Sequence, residues 1–445
     1  MQYVIIGSSA AGISAIEAIR TKDRTSKIIV ISDEKNPLYS RCLISYLLAG
    51  TIDEKKIWYR KDSFFKNNKV EALLGVKAEE IDIKKKEVTF CRGQACLSPT
   101  DKGKVKFDRL LIATGASPKL EDIPGVDKKG VFPLRTIGHA IEIQAMLDKV
   151  KSAAILGGGL IGLRAAYALK SRGKDVSVFV KSGSILSQII DKDAAGLMQK
   201  RIEEKGIKIF TGVAAKEIQG DKSANRIIFD NGSEIVGNRH ACSLLVIIGK
   251  GVSPNIEIAK SAGIKTNWGI LANDFLKTSA EDIFTAGDVS EANDIALEES
   301  SINAIWPAAC EQGRIAGLNM AGGNETYEGS LAMNSIEFFG LPVISIGITR
   351  PKSDRYVEIV KKDAAKNIYK KIVLKDGIIV GVIFVNSIEN IGVIGALIKN
   401  KADITGVKDI ILEDYFDYGK IIPLIKKSKR GFREPEFKET IMTLQ

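Results

Sequence analysis

The chain has 445 residues, 45% hydrophobic and 27% charged, which is material for about three domains with real cores. Its formal charge of +11 is spread out, without a basic block interleaved with aromatics, so nucleic acid is excluded while an acidic protein partner would be drawn to the surface. No apolar run approaches the roughly 18 residues of a membrane helix, and the cysteines (Cys42, Cys91, Cys96, Cys242, Cys310) are too scattered for a disulfide framework, so a cytoplasmic protein is expected.

Residues 3–6 read as a short apolar strand, and Gly7, Ser8, Ser9, Ala10, Ala11 and Gly12 as a tight small-residue turn. Residues 13–20 then follow at helical spacing, and a second strand, 27–31, ends at Asp33 and Glu34. This order is the dinucleotide fingerprint, in which a helix N-terminus and bare N–H groups hold a pyrophosphate while an acid takes a ribose hydroxyl. Ser9 departs from it, standing at the middle glycine. A second copy uses strand 153–156, Gly157, Gly158, Gly159, Leu160, Ile161 and Gly162, helix 163–171 and strand 176–180, with all three glycines present. Two units about 150 residues apart predict two nucleotides side by side.

Between the two copies, a turn at 36–41 leads into a helix ending near Gly50. Arg41 reads either as a phosphate or ribose contact or as a solvated helix-end charge. Cys42, at a helix N-terminus beside an arginine, would have a lowered pKa and serve as nucleophile or redox centre; alternatively it is a small buried hydrophobe. Residues 70–107 alternate apolar and polar in short pieces, as antiparallel strands would. Cys91 and Cys96 form a C-x4-C pair that no second pair completes, so no metal site is expected. Residues 108–118 give a buried strand and a small-residue turn at Ala113, Thr114 and Gly115.

GSSAAG (7–12), DRLLIATGASP (108–118), GGGLIG (157–162) and TSAEDIFTAGDV (278–289), in that order, resemble the two-dinucleotide-binding flavoproteins of the pyridine nucleotide-disulfide oxidoreductase superfamily. The resemblance implies an α/β fold of two Rossmann-like three-layer domains, the second inserted in the first, with a C-terminal α+β domain. It implies FAD on 1–118 and 249–325, a nicotinamide nucleotide on 119–248, and a dimerisation or flavin-covering domain at 326–445. FAD would meet the first turn, Asp33, Glu34, Arg41, Ala78, Ala113, Thr114, Gly115, Arg135, Gly287, Asp288, Pro307 and Ala308. Asp288 matches the carboxylate that accepts a ribityl hydroxyl, and the helix starting near 305–314 would favour negative charge on reduced flavin. The nicotinamide nucleotide would meet Gly157, Gly159, Leu160, Ile161, Gly162, Lys181 and Gly249. That unit departs twice: Arg164 stands where relatives commonly have glutamate, and Lys181 follows a strand lacking its terminal acid. The lysine leans towards NADP(H), with NAD or dual use as the alternative.

From about 327 the pattern turns to strands (335–339, 343–346, 356–360, 369–374, 377–385), a helix at 392–399 and a basic tail, 420–445, read as a solvated arm or a docking arm. The first helix carries no paired cysteines and no histidine lies beyond His240, so glutathione-type machinery is excluded. Two subgroups remain. One resembles NADH oxidases and coenzyme A disulfide reductases, with Cys42 as the redox thiol. The other resembles rubredoxin, ferredoxin and nitrite reductase flavoprotein components, in which Tyr39 and Arg41 match and the flavin serves an iron-sulfur partner without a thiol. The Tyr39 and Arg41 match favours an FAD-dependent NAD(P)H oxidoreductase passing electrons between the nicotinamide nucleotide and an iron-sulfur or similar protein, as a homodimer or a subunit of a larger redox complex. A non-catalytic flavoprotein subunit or redox-responsive binding protein is the reading of another class.

Overall fold

The first strand, β1 (Gln2–Ile6), is buried along Tyr3–Ile6 and pairs in parallel with β2 (Lys27–Ser32), in the register Tyr3 to Ile28 through Ile6 to Ile31. Helix α1 (Ala10–Lys22) joins them and covers the sheet with Ile13, Ile16 and Ile19, each wholly buried. A buried isoleucine contributes roughly 1.5–3 kcal/mol, so this one helix face anchors the sheet. The helix stops at Asp23, whose backbone N–H still bonds Ile19 O but whose own backbone is extended. On the α1 side lies the long helix Trp306–Met320, brought very close by glycines: a Cβ at Gly313 would stand 2.1 Å from Ala11 O.

This computed structural model describes residues 1–92, 102–120, 122–237, 244–413, 415–416 and 419–420. Cys96, His240, Cys242, Tyr418 and the tail from 421 lie outside the described residues. The chain divides into two compact units. The first comprises Met1–Ile185, Gly206–Asp294 and Glu299–Ser330 and holds both glycine turns. Its two five-stranded sheets are parallel throughout. One orders Ile283–Thr285, Arg109–Ile112, β1, β2 and Val70–Leu74. The other orders Lys208–Thr211, Asp175–Val180, Ser152–Leu156, Leu245–Ile248 and Val131–Pro133. Each strand pair that flanks a glycine turn therefore repeats the same βαβ geometry, as the two sequence copies predict.

One expectation is corrected here. Val70–Leu74, read as antiparallel, pairs in parallel with β2 and completes the first nucleotide sheet. The antiparallel sheet is Val76–Asp82, Glu87–Arg92 and Lys102–Lys106, where Cys91 is buried. Alternation reports that a strand is half-buried, not which way its neighbour runs.

The second unit comprises Leu186–Lys205, Ile295–Glu298 and the chain from Leu331 on. Its five-stranded antiparallel sheet orders Met333–Phe338, Leu341–Gly347, Ile378–Val385, Ile368–Lys375 and Tyr356–Asp363. Helix Ile391–Lys399 packs on it through Val393, Ile394, Leu397 and Ile398. Helix Lys192–Glu204 also belongs here: its N-cap Asp191 accepts from Ala194 N, from Tyr369 Oη at 2.6 Å and from Lys371 Nζ at 3.0 Å. No helix among the described residues is long and apolar enough to cross a membrane.

Candidate functional site

The C-terminal ends of β1, β2 and Arg109–Ile112 open on a cleft of about 250 Å³, where ligands of open parallel sheets bind. The first glycine turn forms its floor. A Cβ on Gly12 would lie 2.0 Å from Gly7 O, so the last small residue lets helix and strand meet. Ser9, at the middle position, is extended at φ −89, a conformation open to any residue, and its Oγ accepts from Arg41 Nε at 3.3 Å. Ser8 Oγ is buried in the cleft wall with no hydrogen-bond partner, and an incoming phosphate oxygen would supply one.

Two ion pairs frame the opening. Arg41 pairs with Glu34, its Nη1 donates to Arg135 O at 3.1 Å, and its guanidinium stands 5.6 Å from the Tyr39 ring centroid. The Tyr39 hydroxyl donates to the same Glu34 carboxylate, and burial pushes that phenol up. Arg135 Nη2 donates to Asp288 Oδ2 at 2.7 Å, while its buried Nε has no partner and remains able to donate to a ligand. The Arg135 segment is fixed by a reciprocal cap. Thr136 Oγ1 accepts from His139 N at 3.3 Å, and His139 Nδ1 accepts from the Arg135 and Thr136 amides. Burial lowers the His139 pKa, which keeps Nδ1 an acceptor.

Gly7, Ser8, Ser9, Ala10, Ala11, Asp33, Glu34, Arg41, Ala113, Thr114, Gly115, Arg135, Gly287 and Asp288 all line this cleft. Gly12 lies behind the turn. Ala78, paired with Phe90 in the antiparallel sheet, is outside the lining, as are Pro307 and Ala308. At that helix start Ala304, Trp306 and Ala309 face the cleft instead, Trp306 packing edge-on to Tyr59 with centroids 5.2 Å apart. Helical spacing puts 306 and 309 on one face, a signal the sequence reading passed over. With an orphaned hydroxyl, an orphaned guanidinium N–H and a floor too small for side chains, these residues fit FAD.

A second space of about 160 Å³ adjoins the first and shares Arg41, Cys42 and Arg135 with it. Its other walls are Ile44, Ser45, Leu134, Leu160, Ile161 and Arg164. One wall is α2 (Ile44–Ala49), only six residues long; its carbonyls at Leu47 and Leu48 accept from Gln144 Nε2 and Arg172 Nε. Of the expected nicotinamide contacts, Leu160 and Ile161 reach this space. Gly157, Gly159, Gly162 and Gly249 form the turn behind it, where a Cβ on Gly162 would stand 2.0 Å from Gly157 O and one on Gly249 2.7 Å from Gly162 Cα. Lys181 is exposed at the end of Asp175–Val180.

Cys42 is a free thiol, exposed at the boundary of the two spaces. The lowered pKa expected of it is not found: desolvation pushes the thiol up and Asp288 adds to the rise. It sits in the tight turn Arg41–Leu43 rather than at the start of a long helix, and the Arg41 charge is neutralised by Glu34. Among the described residues no three His, Cys, Asp or Glu side chains cluster as a metal site.

Residues 1–313 match the family described as pyridine nucleotide-disulphide oxidoreductase, and 333–402 match the rubredoxin NAD+ reductase C-terminal domain. The chain is 30% identical over 426 residues to the NADH-dependent phenylglyoxylate dehydrogenase subunit epsilon of Aromatoleum evansii, covering 95% of this chain and 97% of that one. It is 32% identical to the assimilatory nitrate reductase electron transfer subunit of Bacillus subtilis over 93% of this chain, but spans about half, 51%, of that protein. Among solved structures, a NAD-dependent persulfide reductase from A. fulgidus superposes with a TM-score of 0.82 at 25% identity, over 90% of this chain and 77% of that one. Two parallel glycine-turn sheets, adjoining clefts and a family match over residues 1–313 agree: the chain belongs to the pyridine nucleotide-disulphide oxidoreductase family of FAD-dependent, NAD(H)-using oxidoreductases.

Proposed function

We propose that the protein passes electrons between a nicotinamide nucleotide and a small acidic iron-sulfur protein of the rubredoxin or ferredoxin type, through FAD. The observation that carries this is the shared wall: Arg41, Cys42 and Arg135 border both spaces, so a ring in one lies next to a ring in the other. In this reading residues 1–118 and 249–325 carry FAD, 119–248 the nicotinamide nucleotide, and 326–445 a covering or dimer-forming domain. Bound flavin supplies the exchange between two-electron and one-electron chemistry. The chain supplies position and dryness. Asp288 and Arg135 hold the flavin side of the wall, the Glu34, Tyr39 and Arg41 group fixes the ribose side, and Ile44 and Leu134 exclude water. Lys181, with no acid beside it, favours NADPH over NADH by pairing with a 2'-phosphate.

Support for a carrier rather than a disulfide comes from Tyr39 and Arg41, the residues that match the iron-sulfur-partner subgroup, which meet on one Glu34 carboxylate at the cleft, while desolvation pushes the Cys42 thiol up rather than down. A persulfide-reductase relative keeps the thiol reading as the second one. The two separate on the Cys42→Ser protein with FAD bound and NADPH or NADH as donor. Retained reduction of a rubredoxin or ferredoxin, weakening as salt rises, supports the carrier reading. Loss of turnover with disulfides or persulfides, in a wild type that reduces no carrier, replaces it by the thiol reading.

A further inference from the structure

Besides Arg41 and Arg135, the second space is lined by a further charged side chain, Arg164. It follows Leu160 and Ile161 by one turn on helix Leu160–Ser171, so all three share a face. A ring carried by a pyrophosphate at that helix start and pointed at the first cleft must enter this space, because Arg41, Cys42 and Arg135 wall both. Ile44, Leu134 and Ile161 offer the apolar surfaces that a flat ring needs. Arg164 is braced from the opposite wall: its Nη1 donates to Tyr46 Oη at 3.2 Å, and its guanidinium carbon stands 5.3 Å from that ring's centroid.

We propose that Arg164 is a specificity-determining residue that recognises the nicotinamide by donating to its carboxamide carbonyl oxygen. This rests on the reading of 119–248 as the nicotinamide unit. A guanidinium has five donors and no acceptor, so of the two halves of a carboxamide it can hold the carbonyl and not the amino group. Tyr46 fixes one end of the fork through Nη1, and the charged donor makes the bond stronger than a neutral one. The protein therefore reads C=O and is indifferent to NH2, which a ring-edge carboxylate in the same place would reverse.

Equilibrium binding to the oxidised, FAD-loaded protein tests this without turnover, using NAD+, acetylpyridine adenine dinucleotide, which keeps the carbonyl and lacks the amino group, and ADP-ribose, which lacks the ring. The wild type should bind the first two with similar Kd. Arg164→Leu should weaken both by about tenfold and leave ADP-ribose unchanged. Arg164→Glu should bind NAD+ more tightly than the acetylpyridine analogue. Wild-type rejection of the analogue, or Arg164→Leu binding NAD+ like the wild type, overturns the proposal while the nicotinamide unit stands. Loss of ADP-ribose binding along with NAD+ in Arg164→Leu overturns it too, since the residue would then act on the turn. A wild type that holds FAD but binds neither NAD+ nor ADP-ribose removes the nicotinamide reading itself.

Discussion

Two alanine substitutions in one glycine turn, three residues apart, should fail in different ways. At Gly162 a Cβ would meet Gly157 O at 2.0 Å and Ile155 Cγ2 at 3.3 Å, against an ordinary contact of 3.4 Å or more, and the first neighbour is backbone. The strand and helix must part to admit it, at a cost of roughly 1–3 kcal/mol, or a fall in Tm of roughly 2–10 °C. Gly159 differs. Its backbone is extended, at φ −80 and ψ −179, and the sole neighbour within 4 Å of a Cβ is Gly249 O at 3.9 Å. Gly159→Ala should leave Tm within about 2 °C of the wild type, because the fold has room and a less flexible unfolded chain offsets the weaker helix cap. The methyl would, however, stand where a pyrophosphate approaches the helix amides, so the Kd for NAD+ should rise by at least about tenfold. Thermal unfolding and equilibrium nucleotide binding on the FAD-loaded proteins separate the two effects. Wild-type NAD+ affinity in Gly159→Ala would refute the cradle; wild-type Tm in Gly162→Ala would refute the packing reason for the last glycine.

Alkylation of Cys42 in the folded protein should be slower than that of the unfolded chain at neutral pH, and its rate should still be climbing with pH above the ordinary thiol value of 9.0, because desolvation favours the protonated form; a rate that levels off below that value would contradict the raised pKa. Glu298, bonded by Lys401 and Lys375, has its carboxyl lowered from 4.5 to about 2, so its contribution is complete above 4.5 and is lost as the pH falls through about 2. Acid unfolding curves of the wild type and Glu298→Gln should therefore converge over that interval, and parallel curves would show that the ion pairs are screened. Lys181→Glu should raise KM for NADPH by about tenfold while leaving or lowering KM for NADH. An unchanged ratio would show that the exposed lysine makes no nucleotide contact.

Much of this arrangement is legible in the chain because glycine turns and apolar strands are local signals. The turn at 157–162 and the strands on either side of it fall where the spacing predicts, with the helix starting three residues earlier, at Leu160. Ser9 departs from the pattern without cost, since its position needs only an extended backbone. What depends on distant partners is not legible. Arg135 and Asp288 meet across 153 residues, and nothing local announces the pair. The direction of the Cys42 shift is hidden for the same reason: the neighbouring arginine suggests a lowered pKa, whereas Glu34 takes that charge and Asp288, from a distant segment, adds to desolvation in pushing the thiol up. The resemblance points to Pro307 and Ala308, whereas the helix turns Trp306 and Ala309 to the cleft.

A flavin in the amino-terminal cleft, within reach of a nicotinamide bound at the second turn, must be reducible by that nucleotide. Anaerobic addition of NADPH or NADH to the purified, FAD-reconstituted protein, followed by visible absorbance, reads that reduction out. The yellow band should bleach in proportion to the nucleotide added, and Gly159→Ala should demand far more nucleotide for the same bleaching. A protein that takes up no FAD, or whose bound FAD stays yellow with either nucleotide, would contradict the account.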